Sequence, residues 1–353
     1  MKMMNTIGDE MRCLLANVWY LLLKTLLCFS SVTITSPILG VEDEGKHFKE
    51  YIYLVVDKGA LKAELRTLPS PGKASSLVKT FRIAVGKKIG DKQREGDHKT
   101  PEGIYFPLRH ISSSALLKSK YGESAIPLNF PNHFDKLQAK TGYGIWLHGA
   151  GNDERIAEAK VTEGCVAFYN AEILKLKDWL MPNRSLVVIA KNLNEVNRES
   201  DVREVANRTL QWLKAWKNRN VEWYIDFYDK DFAYGRKNRS GYRRYKNRVF
   251  KSYKKMVINT NLIRVVTHPK YAITFMNQDF YGDARYQSLG RKILYWKKNN
   301  GDWAIIKETF EKKRFKKLKY SSLDILKLTG KPVLEEISRQ DNIEDLNENE
   351  TVF

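Results

Sequence analysis

The residues able to do chemistry in this chain are a cysteine, a histidine and the glycines beside them. Cys165 closes the segment Thr162-Glu163-Gly164-Cys165-Val166, and the pair His148-Gly149 lies seventeen residues upstream. A thiol attacks an amide carbonyl as the thiolate, and an imidazole within reach supplies the base and later the acid. Of three cysteines, Cys13 and Cys28 fall in an apolar N-terminal stretch, so loss of that stretch leaves one sulfur and no internal disulfide. The competing reading of Cys165 is a small buried hydrophobe, the commonest role of a free cysteine. His47, His110, His133 and His268 have no motif around them and read as surface or packing residues, whereas His98 reads as shaping its own loop. No carboxylate–histidine cluster has ligand spacing, so no metal site is expected. Gly149-Ala150-Gly151 is too short and misplaced for a dinucleotide loop, so no cofactor is expected either.

The elements that must hold these residues are mostly strands. Tyr51–Val56 and Phe81–Val85 are β-rich runs closed by Asp57-Lys58-Gly59 and by Gly86. Ile145–His148 puts the histidine at a strand end, and Gly164–Phe168 puts the cysteine at the start of another. Asn170 is expected to cap a helix bearing Ile173, Leu174, Leu176, Trp179 and Leu180 and stopped by Pro182; Ser185–Ala190 is expected to be a closing strand.

Two ordered motifs carry a resemblance. Gly144-Ile145-Trp146-Leu147-His148-Gly149, then Thr162-Glu163-Gly164-Cys165-Val166 with Asn170 five residues on, resembles the active-site signature of the L,D-transpeptidase catalytic domain, the YkuD-like family. Gly96-Asp97-His98-Lys99-Thr100-Pro101-Glu102-Gly103-Ile104-Tyr105 resembles that family's second landmark, and the likeness spans residues 48–192. The pattern departs at Thr162, where the family usually has Ser, and at Ala167, where it usually has Arg. The resemblance implies a mainly β catalytic domain, a mixed sheet with a helix beside the site, in which the Gly149 carbonyl fixes the His148 tautomer. It also implies an oxyanion hole from the amides around Gly164 and Cys165. The implied substrate is the peptidoglycan stem peptide, cut after its third residue, a diamino acid, with release of D-alanine from a thioester. Tyr143, Trp146, Phe168 and Tyr169 either wall the substrate pocket or belong to the core. Thr162 and Asn170 are placed at the site by their motif positions. With Ala167 unable to hold a carboxylate, Arg155 or Lys160 either takes that role or is a solvated loop charge.

The chain has 353 residues and a net charge of +20, unevenly spread. Residues 201–320 hold 30 Lys and Arg against 11 Asp and Glu, a balance of +19. Such a field favours anionic partners without choosing among them: wall polymer, acidic lipid or nucleic acid. Nucleic acid is disfavoured by the absence of a recognisable binding motif and by the N-terminus, where residues 1–39 read as an export signal. That run either is cleaved or remains as an anchor, and it points to the periplasm or cell envelope. Lys191 to Asp201 reads as a linker. Beyond it, Val205, Leu210, Leu213 and Trp216 are expected on one helix face, followed by an aromatic segment from Trp223 to Tyr228 and by β-rich runs at 262–266, 271–275, 290–296 and 303–306. Helices before a meander imply an α+β domain over 201–320, and the order resembles the cone-shaped nuclear-transport-factor-two-like fold. A YkuD-like domain followed by such a cone resembles the L,D-carboxypeptidases that set cell shape in helical bacteria, which favours water over an amine as acyl acceptor. The acidic tail, 321–353, is expected to be disordered. Oligomeric state is not readable from the sequence.

Overall fold

The computed structural model describes residues 52–68, 75–269, 271–283 and 286–312; the expected export signal, with Cys13 and Cys28, and the acidic tail lie outside them. The first half is a mixed sheet of ten strands: β1 (Ile52–Asp57), β2 (Lys62–Thr67), β3 (Leu77–Gly86), β4 (Gly103–Tyr105), β5 (Ile111–Ser112), β6 (Ser124–Pro127), β7 (Trp146–His148), β8 (Lys160–Thr162), β9 (Val166–Phe168) and β10 (Leu186–Ala190). Their order is β4-β10-β1-β2-β3-β9-β7-β6-β5, with β8 pairing β3. Short helices α1 (Lys118–Tyr121) and α2 (His133–Leu137) and the longer α3 (Asn170–Trp179) connect them. The sequence expected β10 to close the sheet, but it lies inside, between β1 and β4.

Every residue of β1 is buried, as its unbroken apolar run demands of a strand covered on both faces. Alternation splits that run between two cores. Ile52, Leu54 and Val56 pack with Phe81, Leu147, Val166 and Phe168 beneath the motif strands. Tyr53 and Val55 face the other way, into a core with Leu186, Val188 and Phe134 that also takes Val266, Tyr271, Ile273, Phe275, Ile293 and Ile306 from the second half.

The second half runs α4 (Glu199–Lys217), α5 (Val221–Asp226), a hairpin β11 (Ala233–Tyr234) and β12 (Lys237–Asn238), α6 (Arg239–Ser252), then a meander β13 (Met256–His268), β14 (Tyr271–Gly282), β15 (Tyr286–Asn299) and β16 (Asp302–Lys312). This is the α+β architecture expected, with longer strands than the apolar runs marked. The last turn holds Asn300 and Gly301 at positive φ, 46° and 99°, as a two-residue hairpin turn requires.

Three expectations are corrected. Leu210 is exposed, because the buried stripe of α4 is Val205, Thr209, Trp212, Leu213 and Trp216, and position 210 falls outside it. The helix α6 was not anticipated at all. Residues 191–201 are not a free linker: Leu193 and Val196 pack on the shared core. Within the same segment, Asn197 donates to the Tyr53 hydroxyl at 2.9 Å and accepts from the Thr267 amide at 2.8 Å.

Candidate active site

Strands β7 and β9 are parallel neighbours, with Leu147 opposite Val166 and His148 opposite Ala167. Leu147 and Val166 are fully buried in the core, so alternation turns Trp146, His148, Cys165 and Ala167 to the opposite face. The sheet thus brings the imidazole and the thiol to one side. His148 Nδ1 makes a short hydrogen bond to the Gly149 carbonyl, which must accept, so Nδ1 carries the proton and Nε2 keeps its lone pair. Burial pushes the His148 pKa down to about 4 despite that bond, with Lys120 and Arg155 lowering it further. Burial likewise pushes the Cys165 thiol up to about 11, against a lowering influence from the Trp146 amide and Lys120. The resting pair is therefore neutral near pH 7. Among the described residues the sulfur's hydrogen-bond partners are the Trp146 amide, which donates at 3.4 Å, and the Gly144 carbonyl, which accepts at 3.4 Å.

The backbone under the thiol is tied by two hydroxyls. Thr162 Oγ1 donates to the Cys165 carbonyl at 2.7 Å, and Thr100 Oγ1 reaches the same carbonyl at 3.5 Å while accepting from the Gly86 amide at 2.9 Å. The two sequence motifs meet at this point. Gly164, at φ +131°, crosses the Lys99 carbonyl so closely that a Cβ would lie 2.8 Å from it. Upstream, Asp97 braces the landmark loop by accepting from Lys92 Nζ and the amides of Gln93, Arg94 and Lys99. Partial burial alone would raise its pKa, but these donors hold it well below the usual carboxylate range.

Comparison with known proteins gives this arrangement a family. Residues 52–189 match the model of the L,D-transpeptidase catalytic domain, and residues 204–309 match that of the Cds6 C-terminal NTF2-like domain. The chain carries an L,D-transpeptidase catalytic domain and an NTF2-like domain. Residues 52–189 form a domain of the L,D-transpeptidase catalytic family. A curated relative, YafK of Escherichia coli (strain K12), is 30% identical over 79 residues, 22% of this chain and 30% of YafK. Bd1075 of Bdellovibrio bacteriovorus is 27% identical with a TM-score of 0.66, over 77% of this chain and 95% of that one. The helical cell shape determining protein Pgp2 of Campylobacter jejuni shares the fold at 24% identity and a TM-score of 0.56, over 73% of this chain and 91% of Pgp2.

Several residues placed at the site of the L,D-transpeptidase domain by sequence sit there differently. Phe168 is fully buried, edge-on to Phe81 at 5.8 Å; it is core, and cannot wall a pocket on the opposite face. Tyr143 is 78% exposed, and Trp146 is half-buried against Tyr121, with ring centroids 4.8 Å apart. The Gly164 amide donates to Thr162 Oγ1 at 3.2 Å, and the Trp146 amide, missed by sequence reading, is the one that donates to the sulfur. Thr162 is buried and braces the loop instead of facing solvent. Asn170 is the first residue of α3 and not its cap, which is Tyr169. Its amide accepts from the Glu123 amide at 2.9 Å and donates to the Ala150 carbonyl at 2.7 Å, and a Cβ on Gly149 would collide with it. These contacts clamp the histidine loop. Arg155 is exposed and donates to the Val161 carbonyl at 3.3 Å, and Lys160 is exposed on β8. Tyr121 stands edge-on to His148 at 5.2 Å, unmarked by any motif. Among the described residues no group of three His, Cys, Asp or Glu is placed to hold a metal ion.

Proposed function

We propose that this chain is a cysteine acyltransferase that cuts the peptidoglycan stem peptide after its third residue, a diamino acid, and passes the acyl group to water, as an L,D-carboxypeptidase of cell-wall remodelling and cell shape. The observation that carries the chemistry is the Nδ1–Gly149 bond, which leaves His148 Nε2 basic on the strand face that also bears Cys165. Sulfur attacks the carbonyl as its proton passes to Nε2, forming the S–C bond. Collapse breaks the C–N bond, and the same proton leaves on the amine of D-alanine. Water then attacks the thioester with His148 as base, giving the tripeptide carboxylate and restoring the thiol. Starting from two neutral groups, the site moves one proton during attack and keeps no standing ion pair.

Three observations support this substrate and acceptor: the family match, the pairing with an NTF2-like domain, and Ala167 in place of the usual Arg. An amine acceptor, giving cross-links, is the competing outcome of the same thioester. Incubating the purified protein with tetrapeptide muropeptides and weighing the products decides between them. Tripeptide with free D-alanine is expected, cross-linked dimers would overturn the choice of acceptor, and untouched substrate would overturn the substrate class.

We further propose an exported, envelope location and an anionic wall partner for the second domain. The basic excess is concentrated on α6 and its flanks: residues 236–255 hold ten Lys and Arg and no Asp or Glu. Arg236, Arg244, Arg248, Lys251, Lys254 and Lys255 are exposed. Loss of binding to purified sacculi as salt rises is the expected behaviour.

A further inference from the structure

We propose that Lys120 is the residue that receives the terminal carboxylate of the acyl donor, and that Glu163 holds it until that carboxylate takes its place. The proposal rests on the stem-peptide reading for the identity of the donor, but not for the chemistry of the site. Lys120 lies in α1 and Glu163 two residues before the thiol; Nζ and Oε2 are 3.2 Å apart, and the side chains are 50% and 60% exposed. An ion pair so open to water is weak, so an arriving carboxylate exchanges for Glu163 at small cost.

The pair stands at the rim of the reacting groups. Lys120 Nζ lies 5.5 Å over the ring of Tyr121, whose other contacts are the edge-on His148 and the Trp146 indole. The Lys120 charge lowers the pKa of both His148 and Cys165. The alternatives fit less well. Arg155 is tied to the Val161 carbonyl; Lys160 is exposed on β8; Ala167, beside His148, is buried in a small apolar cluster with Ala84, Ala150 and Ile156. When a single residue is the leaving group, its carboxylate lies about 4 Å, one Cα step, beyond the attacked bond. The cation that recognises it must therefore stand near the nucleophile, and the pairing with Glu163, two residues before Cys165, holds Lys120 on that side.

The test uses the full chain and two thiol reagents of nearly equal size, anionic iodoacetate and neutral iodoacetamide, with labelling at Cys165 read by peptide mass. The ratio of their rates reports carboxylate steering, because the neutral reagent cancels changes in thiol reactivity or folding. Lys120→Ala should lower the iodoacetate-to-iodoacetamide ratio about fivefold, and Glu163→Gln should raise it by a similar factor. A ratio unchanged in both variants overturns the proposal. With a stem tetrapeptide and its C-terminal amide as substrates, Lys120→Ala should raise KM for the acid and not for the amide. If the ratio shifts but no stem peptide is turned over by the unmodified protein, the carboxylate site stands and the substrate reading falls. A flat ratio with normal turnover removes Lys120 and leaves the substrate reading in place.

Discussion

The Cys165 thiol rests against the Gly144 carbonyl, donating its proton at 3.4 Å. Burial keeps that proton on sulfur up to about pH 11 and keeps His148 uncharged down to about pH 4. The proposed mechanism therefore starts from a neutral thiol and a neutral imidazole, with the proton moving as sulfur attacks.

Alkylation measures this directly. The thiolate fraction rises tenfold per pH unit below its pKa, so the rate of Cys165 modification by iodoacetamide should climb with unit slope from pH 7 to about pH 10. A plateau below pH 8 would reveal a thiolate–imidazolium pair instead.

Cys165→Ala and His148→Ala should each cut turnover by at least about a thousandfold, and the double variant little more, since base and nucleophile act as a unit. Circular dichroism and melting of Cys165→Ala should match the unmodified chain. Full activity in purified Cys165→Ala would remove the mechanism.

His148 also ties stability to pH. Its folded pKa, about 4, lies below the ordinary 6.5, so between these values the unfolded chain binds more protons and stability rises with pH. The contribution is complete above about pH 6.5 and is lost as pH falls toward 4, a total on the order of 3 kcal/mol. Urea titrations of His148→Gln should show a flatter stability profile over that window.

Much of the site was legible because strands declare themselves by alternation and because glycines beside a Cys or His narrow what the backbone can do. The same alternation, applied from Cys165, would have sent Val166 and Phe168 inward. The helix α6 was hidden because its buried stripe, Tyr242, Lys246 and Phe250, has a lysine at its centre. That lysine is buried over the rings of Trp216, Tyr224 and Tyr242, an environment no local pattern announces. The positions of Thr162 and Asn170 in the motif marked them as important, but their roles depend on carbonyls and amides brought near by the fold.

Tyr271 stacks on Phe134 at 4.2 Å, joining the two halves across their shared core. Tyr271→Ala should cost about 3 kcal/mol or more, and both halves should lose protection together in hydrogen exchange. Independent unfolding of the two halves would contradict the shared core.

The neutral thiol has a consequence for survival as well as for rate. Oxidants and disulfides capture thiolates, and Cys165, the one cysteine among the described residues, has no second thiol there to resolve a sulfenic acid or a mixed disulfide. With its proton held toward Gly144 and its pKa near 11, only about one molecule in ten thousand carries the vulnerable form at pH 7. Holding the proton on sulfur thus trades ready nucleophilicity for persistence of the thiol.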